Sequence, residues 1–323
     1  MENTVLQNPT IQFAHPAYQM QAAFERRDLP GKTFQTWTLE ETLSRLGEAE
    51  VLVLSGYWQN TFFDAAPNLA YVHVCAAGYD RYDISAFTER GIRLANSSGV
   101  NVNAVGDHAM ALLLSLTRQL HLARDRQLRR EWRGVVGDIR RREDELEGKT
   151  MLIYGLGAIG GRLARLAQAF GLRVLGIRRN TAKVPDGVEA LHAPAAFLDL
   201  LGEADVVALT CPLTDETRGL VGAEALARMK PTAYVINVAR GPVVDEQAMV
   251  AALEGGGIAG AGLDVFDPEP LPETSKLWSL ENAIITPHSG GETRRYEENV
   301  IDILAENLAR LSRGEKNLIN QIA

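Results

Sequence analysis

A short apolar segment followed by closely spaced glycines constrains this chain more than any other feature. Met151–Tyr154 predicts a β-strand, and Gly155-Leu156-Gly157-Ala158-Ile159-Gly160 follows it directly. An amphipathic helix comes next, Gly171 is expected to end it, and Leu172–Ile177 predicts a second strand. In this context the first glycine permits a tight turn, the second admits a pyrophosphate and the third lets helix and strand pack closely. The sequence therefore predicts a dinucleotide-binding unit, although a glycine-rich turn without a ligand is the alternative.

The end of the second predicted strand bears on which dinucleotide binds. That position normally carries a carboxylate, about 20 residues after the glycines, that accepts hydrogen bonds from ribose hydroxyls. Here the sequence is Gly176-Ile177-Arg178-Arg179-Asn180, with two guanidinium groups and no carboxylate. Because Arg178 and Arg179 suit a 2′-phosphate, we predict NADP(H) as the favoured cofactor and NAD(H) as the alternative. Both arginines could instead point into solvent.

Short apolar strands alternate with helical segments on both sides of this turn. In the first hundred residues the predicted strands are Thr10–Phe13, Val51–Leu54 and Tyr71–Val74, with helices at Glu40–Leu46 and Phe62–Ala66. The alternation restarts at Lys149 and continues to about His288, and a final helix is expected at Tyr296–Leu311. Such alternation predicts an α/β protein with parallel sheets covered on both faces. The length of 323 residues favours two domains, with a boundary near residue 100.

The region between these halves is predicted to contain one helix and one charged segment. Ala104–Leu122 has a continuous helical periodicity, whereas Arg124–Glu147 has no apolar run. Acidic side chains are interleaved with the arginines of this segment, which favours a solvated or subunit-contacting arm over a nucleic-acid site.

Composition excludes several classes of protein. The formal charge of −8 disfavours a general affinity for nucleic acid. Cys75 and Cys211 are too few for a disulfide framework and form no metal-binding spacing. No apolar run approaches the ~20 residues that span a bilayer, and the N-terminus lacks the pattern of a signal peptide. We expect a cytoplasmic protein that binds no metal, no nucleic acid and no membrane.

Polar residues follow the later predicted strands at their carboxyl ends, where doubly wound sheets bind ligands. Arg240 follows the strand Ala233–Val238, and Glu269 lies shortly after the strand that ends before Asp264. His288 follows Ala283–Thr286. Arginine can clamp a 2-keto acid through its carboxylate, and histidine can donate a proton while a carboxylate orients it. Singly, each of the three has a structural alternative: a helix-flanking charge, a surface carboxylate and a buried core histidine.

Several motifs resemble those of the D-2-hydroxyacid dehydrogenase family, whose members are D-isomer specific. They are the glycine turn, Asn101–Val105 with Asp107-His108, Asn237–Asp245, Gly262–Phe266 and Thr286-Pro287-His288. The resemblance covers nearly the whole chain. It implies two Rossmann- or flavodoxin-like doubly wound domains with the active site in the cleft between them, and a homodimer. Residues 1–100 plus 295–323 would form the substrate domain and residues 101–294 the dinucleotide-binding domain.

The resemblance also implies roles for individual residues. Arg240 would bind the substrate, Glu269 would support His288, and His288 would exchange the proton. The backbone amides of Ala77, Gly78 and Tyr79 would hold the substrate carboxylate. Asp107 stands where the family usually has Glu and is expected, like His108, to be structural. Besides the glycine turn and the two arginines, the expected cofactor contacts are Cys211, Pro212, Thr217, Val238, Ala239, Arg240, Asp264, His288 and Gly290.

The substrate is predicted less directly. Ser55, Tyr57 and Trp58 follow a predicted strand and could wall a pocket around the side chain of the keto acid. Glyoxylate or hydroxypyruvate is the first choice, because many NADP-using relatives resemble reductases of those acids, and bulkier 2-keto acids are the alternative. A different class that shares this fold, dinucleotide-binding corepressors that contact partner peptides, is the alternative function.

Overall fold

The computed structural model describes residues 5–56, 58–79 and 81–323, and the chain forms two compact units. The first unit comprises Met1–Asn101 and Thr293–Ala323, and the second comprises Val102–Glu292. The chain therefore leaves the first unit once and returns to it for the last helix. The roles expected of the two units, substrate binding and dinucleotide binding, stay predictions.

The first unit is built on a five-stranded parallel sheet with the strand order β2-β1-β3-β4-β5. Every residue of the interior strands β3 and β4 is buried, as expected when helices cover both faces. The helix Tyr296–Ser312, here called the C-terminal helix, packs apolar side chains onto the core of this sheet. The strands are β1 Thr10–Ala14, β2 Lys32–Thr36, β3 Val51–Leu54, β4 Tyr71–Val74 and β5 Arg93–Asn96, and the other helices are α1 Met20–Glu25, α2 Leu39–Arg45, α3 Phe62–Ala65 and α4 Ile84–Arg90.

The second unit is built on a seven-stranded parallel sheet with the order β12-β11-β10-β9-β6-β7-β8. The direction of winding reverses at β6, so the carboxyl ends of β6 and β9 border the switch point where such sheets bind ligands. The strands are β6 Thr150–Tyr154, β7 Arg173–Ile177, β8 Ala190–His192, β9 Val206–Leu209, β10 Tyr234–Asn237, β11 Gly260–Leu263 and β12 Ala283–Ile285. The helices are α5 Val102–Thr117, α6 Leu120–Arg129, α7 Ala158–Ala169, α8 Phe197–Leu200, α9 Ala223–Arg228 and α10 Glu246–Glu254.

The predicted α/β class with parallel sheets is confirmed, and one predicted helix is wrong. The segment 104–122 is not one helix: α5 ends at Thr117 and α6 begins at Leu120. Gln119, between them, has a left-handed backbone with φ 52°. The side chain of His121 holds the break, since its ring nitrogens lie 3.1 Å from Ser115 O and 2.8 Å from Glu281 O.

Candidate active site

The three glycines after β6 differ in what limits them. A methyl group on Gly155 would lie 2.5 Å from Cys211 Cα, and one on Gly160 would lie 2.9 Å from Thr210 Oγ1. A methyl group on Gly157 would meet nothing within 4 Å. Packing within the protein therefore requires the first and third glycines. The second borders open space that a ligand could fill.

The helix that follows this turn has a free N-terminus. Gly157 is the N-cap of α7, and no side chain caps the helix there. The first amide groups of the helix, from Ala158 and Ile159 onward, therefore keep their partial positive charge for a ligand. Together with the open space at Gly157, this arrangement fits a pyrophosphate.

A cavity of about 240 Å³ lies beside the turn. Thr217, buried at the loop after β9, donates from Oγ1 to Pro212 O at 2.7 Å and accepts from Thr214 N at 2.8 Å, which fixes that wall. Burial raises the pKa of Cys211 to about 11, so the thiol contributes a neutral surface. The lining residues are Tyr154, Gly155, Leu156, Gly157, Ile177, Arg178, Arg179, Pro194, Thr210, Cys211, Pro212, Thr214, Glu216 and Thr217.

The two arginines at this cavity have different surroundings. The guanidinium of Arg178 donates to Asn180 O and, at 2.6 Å, to Lys183 O, so it is partly used within its own loop. Arg179 also lines the cavity and is exposed. Sequence reasoning missed seven of these lining residues: Tyr154, Leu156, Ile177, Pro194, Thr210, Thr214 and Glu216. Thr210, which donates to Gly155 O at 2.8 Å, could have been singled out as the first residue after β9.

Arg240 is carried by a tight turn at the end of β10. Asn237, buried at the end of that strand, donates to Arg240 O at 3.1 Å and accepts from Ala239 N at 3.0 Å. Val238 and Ala239 are buried, and Arg240 is half-buried with Nη1 donating to Ala239 O at 2.7 Å. Asn237 therefore orients the turn, a role that sequence reasoning missed although the residue lies in the quoted motif.

His288 and Glu269 form a hydrogen-bonded pair. His288 Nδ1 lies 2.8 Å from Glu269 Oε2, while Glu269 Oε1 accepts from Phe266 N at 3.0 Å. The His288 side chain is 47% exposed, so the pair is open to a small molecule. Because Nδ1 is engaged by the carboxylate, Nε2 is the ring nitrogen available to a reacting group.

A buried carboxylate holds the segment that carries His288. Asp264 accepts from Thr286 Oγ1 at 2.6 Å, Ser289 N at 2.9 Å and Gly290 N at 3.0 Å, and lies 3.3 Å from His108 Nε2. Burial alone would raise the pKa of Asp264, but these hydrogen bonds have the larger combined effect and lower the pKa. A methyl group on Gly290 would lie 2.8 Å from Asp264 Oδ2, so packing requires this glycine. The predicted cofactor contacts of Asp264 and Gly290 stay predictions.

Two residues expected to be structural have structural partners. His108 Nε2 lies 2.9 Å from Thr286 Oγ1, and Asp107 forms a 2.8 Å ion pair with Arg162.

The residues predicted to bind substrate lie in the first unit. Ser55 follows β3, and Ala77, Gly78 and Tyr79 follow β4, the neighbouring strand. All four therefore lie at the carboxyl edge of this sheet. Ser55, Ala77 and Gly78 are half-buried, and Tyr79 is exposed.

Two further residues, Tyr57 and Trp58, were predicted to wall the substrate pocket, and that role stays a prediction. Trp58 is only 7% exposed and packs in the core, with its ring centroid 4.9 Å from that of Phe63 and 4.7 Å from that of Phe87. Aromatic packing, rather than a ligand, accounts for its position. Tyr57 lies outside the described residues.

The second unit thus combines an open glycine turn, a cavity and a hydrogen-bonded His288–Glu269 pair at one edge of a doubly wound sheet. These features define a dinucleotide-dependent oxidoreductase. No group of three His, Cys, Asp or Glu in the described part of the chain could hold a metal ion. Among the same residues, no helix has the length and apolar character needed to cross a membrane.

Comparisons with known proteins identify the family. Residues 110–290 match the family model of the D-isomer specific 2-hydroxyacid dehydrogenase, NAD binding domain. A glyoxylate reductase of Korarchaeum cryptofilum is 41% identical over 265 residues, 80% of this chain and 78% of that protein. A glyoxylate/hydroxypyruvate reductase B of Yersinia pestis is 39% identical over 285 residues, 87% of this chain and 86% of that protein.

A solved structure agrees with these relatives. The NADPH-dependent glyoxylate/hydroxypyruvate reductase of Sinorhizobium meliloti, in complex with NADP and malonate, has a TM-score of 0.81 at 28% identity, covering 98% of this chain and 97% of that one. The chain belongs to the D-isomer specific 2-hydroxyacid dehydrogenase family. It is an NAD(P)-dependent oxidoreductase that acts on the CH–OH group of donors.

Proposed function

We propose that this protein reduces small 2-keto acids, with glyoxylate or hydroxypyruvate as the first choice and NADPH as the favoured reductant. The observation that carries the proposal is the 2.8 Å contact between His288 Nδ1 and Glu269 Oε2 at the carboxyl edge of the dinucleotide-type sheet. The relatives at about 40% identity are glyoxylate or glyoxylate/hydroxypyruvate reductases by name, which favours these acids over bulkier ones.

Each polar side chain of the site has a distinct task. His288 Nε2 gives a proton to the carbonyl oxygen during reduction and takes it back in the reverse direction. Glu269 stabilises the imidazolium form and holds the ring, while the Arg240 guanidinium binds the carboxylate and polarises the carbonyl. In the first unit, the backbone amides of Ala77–Tyr79 are the candidates for binding the substrate carboxylate.

The second unit fits a dinucleotide, which when bound supplies the hydride for C2 of the keto acid. The open space at Gly157 and the uncapped N-terminus of α7 would hold the pyrophosphate. The cavity lined by Cys211, Pro212 and Thr217 would hold the adenosine end. Val238, Ala239, Asp264 and Gly290 would lie along the nicotinamide side.

The preference for NADPH rests on the arginines. Arg179, exposed at the cavity, is the main candidate for binding the 2′-phosphate. Arg178 should contribute less to this binding, because its guanidinium already donates to Asn180 O and Lys183 O. A charge-assisted contact is worth roughly 1.5–3 kcal/mol, which corresponds to a preference of about tenfold or more. Glu216 lines the same cavity and is a carboxylate that could accept from the ribose of NAD(H), the alternative cofactor.

A second copy of the chain is the proposed partner of the segment Leu120–Ile139, which overlaps the charged segment Arg124–Glu147. Helix α6 has no buried residue, and Trp132 and Val135 are almost completely exposed. Exposed apolar side chains of this size in one segment mark an interaction surface. Sedimentation velocity tests the proposal: a homodimer is expected, and a monomer at micromolar concentration would contradict it.

The decisive experiment is a screen of 2-keto acids with NADPH and NADH, followed by the absorbance of the reduced nicotinamide. Glyoxylate or hydroxypyruvate with NADPH is expected to give the highest kcat/KM. Arg179→Ala should lower the NADPH preference more than Arg178→Ala does. Turnover with NADH at least equal to that with NADPH would contradict the cofactor proposal, and dinucleotide binding without reduction of any 2-keto acid would contradict the proposed function.

A further inference from the structure

In the first unit, the end of β5 holds the loop that follows β4. Asn96, the last residue of β5, is buried and donates from Nδ2 to Ala77 O at 2.6 Å. The next residue, Ser97, donates from its backbone N to Ala76 O at 3.1 Å. Two consecutive carbonyl groups of the loop are therefore fixed by two consecutive residues of the neighbouring strand end.

The amide groups of the same loop are unpaired as far as the described residues go. None of the described residues accepts a hydrogen bond from the backbone N–H of Ala77, Gly78 or Tyr79. A peptide unit is planar and trans, so its N–H points opposite to its C=O. The bond from Asn96 to Ala77 O consequently sets the direction of the Gly78 N–H, and the bond from Ser97 to Ala76 O sets that of the Ala77 N–H.

The C-terminal segment in turn fixes Asn96. The backbone N–H of Asn96 donates to Asn320 O at 3.2 Å, and Asn320 Nδ2 donates to Asn96 O at 3.3 Å and to Ser98 O at 2.8 Å. Asn96 Oδ1 also accepts from Ser98 N at 3.2 Å. The side chain of Asn96 is thus anchored on one side and directed at Ala77 on the other.

We propose that Asn96 is a positioning residue for the substrate carboxylate, and that Asn320 supports it. Asn96 touches no substrate; it holds Ala77 C=O so that the Gly78 N–H faces outward at the carboxyl edge of the sheet. The inference rests on the proposed function, in which this loop binds the carboxylate of the 2-keto acid.

Two substitutions separate this role from other effects. Asn96→Ser keeps a side-chain oxygen for Ser98 N and removes the amide donor to Ala77 O. Asn96→Asp keeps the shape of the side chain, removes the same donor and adds a charge. Both are expected to raise KM for the 2-keto acid roughly three- to tenfold, the equivalent of one hydrogen bond. The value of kcat should stay within about twofold, because the carboxylate is bound alike in the ground state and the transition state.

Thr42→Val is the matched control. Thr42 is a buried polar residue of the same unit, but it bonds Thr36 and Thr38. The Thr42→Val substitution should lower the melting temperature and leave KM for the 2-keto acid unchanged. An equal rise of KM in Thr42→Val, or a rise in Asn96→Asp alone, would overturn the inference, because loss of stability or added charge would then explain the effect.

A binding measurement makes the test independent of turnover. Oxalate, a planar dicarboxylate, is titrated calorimetrically into wild type and Asn96→Ser with the oxidised dinucleotide present, and the variant is expected to bind it three- to tenfold more weakly. Equal affinity in the two proteins, or no binding to wild type, would overturn the inference. Wild type that binds oxalate but reduces no 2-keto acid would overturn the proposed function, and the ratio of oxalate affinities would still decide the role of Asn96.

Discussion

The pair His288–Glu269 depends on how one carboxylate uses its two oxygens. Glu269 Oε1 is anchored by the backbone N–H of Phe266, and Oε2 meets His288 Nδ1. The anchor restricts the carboxylate, and the carboxylate restricts the ring. A histidine held in this way presents Nε2 in a fixed direction without needing a buried site of its own.

Removal of the imidazole should affect proton transfer more than dinucleotide binding. His288→Ala is expected to lower kcat by about 10²- to 10⁴-fold, the usual contribution of general acid–base catalysis, with little change in dinucleotide affinity. Glu269→Gln keeps an oxygen for Phe266 N but loses the charge, so a smaller loss and a displaced pH–rate profile are expected. Steady-state kinetics across pH and fluorescence titration with NADPH measure both. Near-normal turnover of a folded His288→Ala protein would remove His288 from the mechanism.

The shape of the Arg240 side chain should matter as much as its charge. Arg240→Lys keeps the charge and loses the planar fork that binds a carboxylate through two nitrogens. We expect kcat/KM for the 2-keto acid to fall ~10²-fold or more, about 2.7 kcal/mol in transition-state stabilisation. The dinucleotide affinity of the same variant is the control. A variant as active as wild type would mean that another group clamps the substrate.

The sequence predicts three polar residues at strand ends, but it does not reveal the residues that hold them. Arg240, Glu269 and His288 were predictable because each follows a strand that the apolar pattern reveals. The four partners of Asp264 depend on contacts that no local pattern encodes. The turn held by Asn237 is local, and its asparagine is a residue type that forms such turns. The burial of Trp58 could not be predicted for a related reason, since its partner Phe87 comes from a helix that only the folded unit brings close.

Among the elements, the turn between β6 and α7 is the one whose sequence and structure agree most closely. Gly157 has φ −92°, outside the left-handed region, and a methyl group there would meet nothing within 4 Å. Gly157→Ala is therefore expected to leave the melting temperature nearly unchanged and to weaken dinucleotide binding about tenfold or more, because the pyrophosphate must approach this backbone.

Gly160→Ala is the matched control. Its methyl group would lie 2.8 Å from Gly155 O, so a loss of stability of about 1–3 kcal/mol is expected. Thermal unfolding and fluorescence titration of both variants measure the contrast. Unchanged dinucleotide affinity in Gly157→Ala would show that the turn does not approach a ligand.

The break between α5 and α6 shows where local pattern fails at the scale of an element. The periodicity of residues 104–122 continues through the break, and Gln119 is not a residue type that usually ends a helix. The contact of His121 with Glu281 O joins positions 160 residues apart, which a periodic pattern cannot reveal. The strand Lys32–Thr36 was missed for a different reason, since its sequence KTFQT is largely polar.

At the scale of the molecule, the first unit contains a buried polar chain that ties its sheet to the C-terminal helix. Asn307 Nδ2 donates to Tyr71 Oη at 3.0 Å, Tyr71 Oη lies 2.7 Å from His73 Nδ1, and His73 Nε2 lies 3.0 Å from Ser97 Oγ. Ser97 Oγ donates to Val74 O, so it accepts from His73 Nε2–H, and Nδ1 accepts from the tyrosine hydroxyl. All hydrogen bonds of this buried polar chain of side chains are satisfied only while His73 is neutral.

Acid should therefore weaken the protein through His73. Burial lowers the pKa of His73 to about 3, whereas the unfolded chain binds this proton near pH 6.5. Between those values the unfolded state holds more protons, so the stability contributed by neutral His73 is complete above pH 6.5 and is lost as the pH falls. From pH 6.5 to 5 the loss is about 2 kcal/mol, at 1.36 kcal/mol per pH unit.

Urea unfolding of wild type and His73→Gln at pH 7.5 and 5 measures this loss. The variant should be less stable at pH 7.5, but its free energy of unfolding should fall by about 2 kcal/mol less than that of wild type on acidification. Burial also lowers the pKa of His15, to about 4, but His15 is present in both proteins, so its contribution to the pH dependence cancels in the comparison. The same acid sensitivity in both would mean that His73 does not carry this pH dependence.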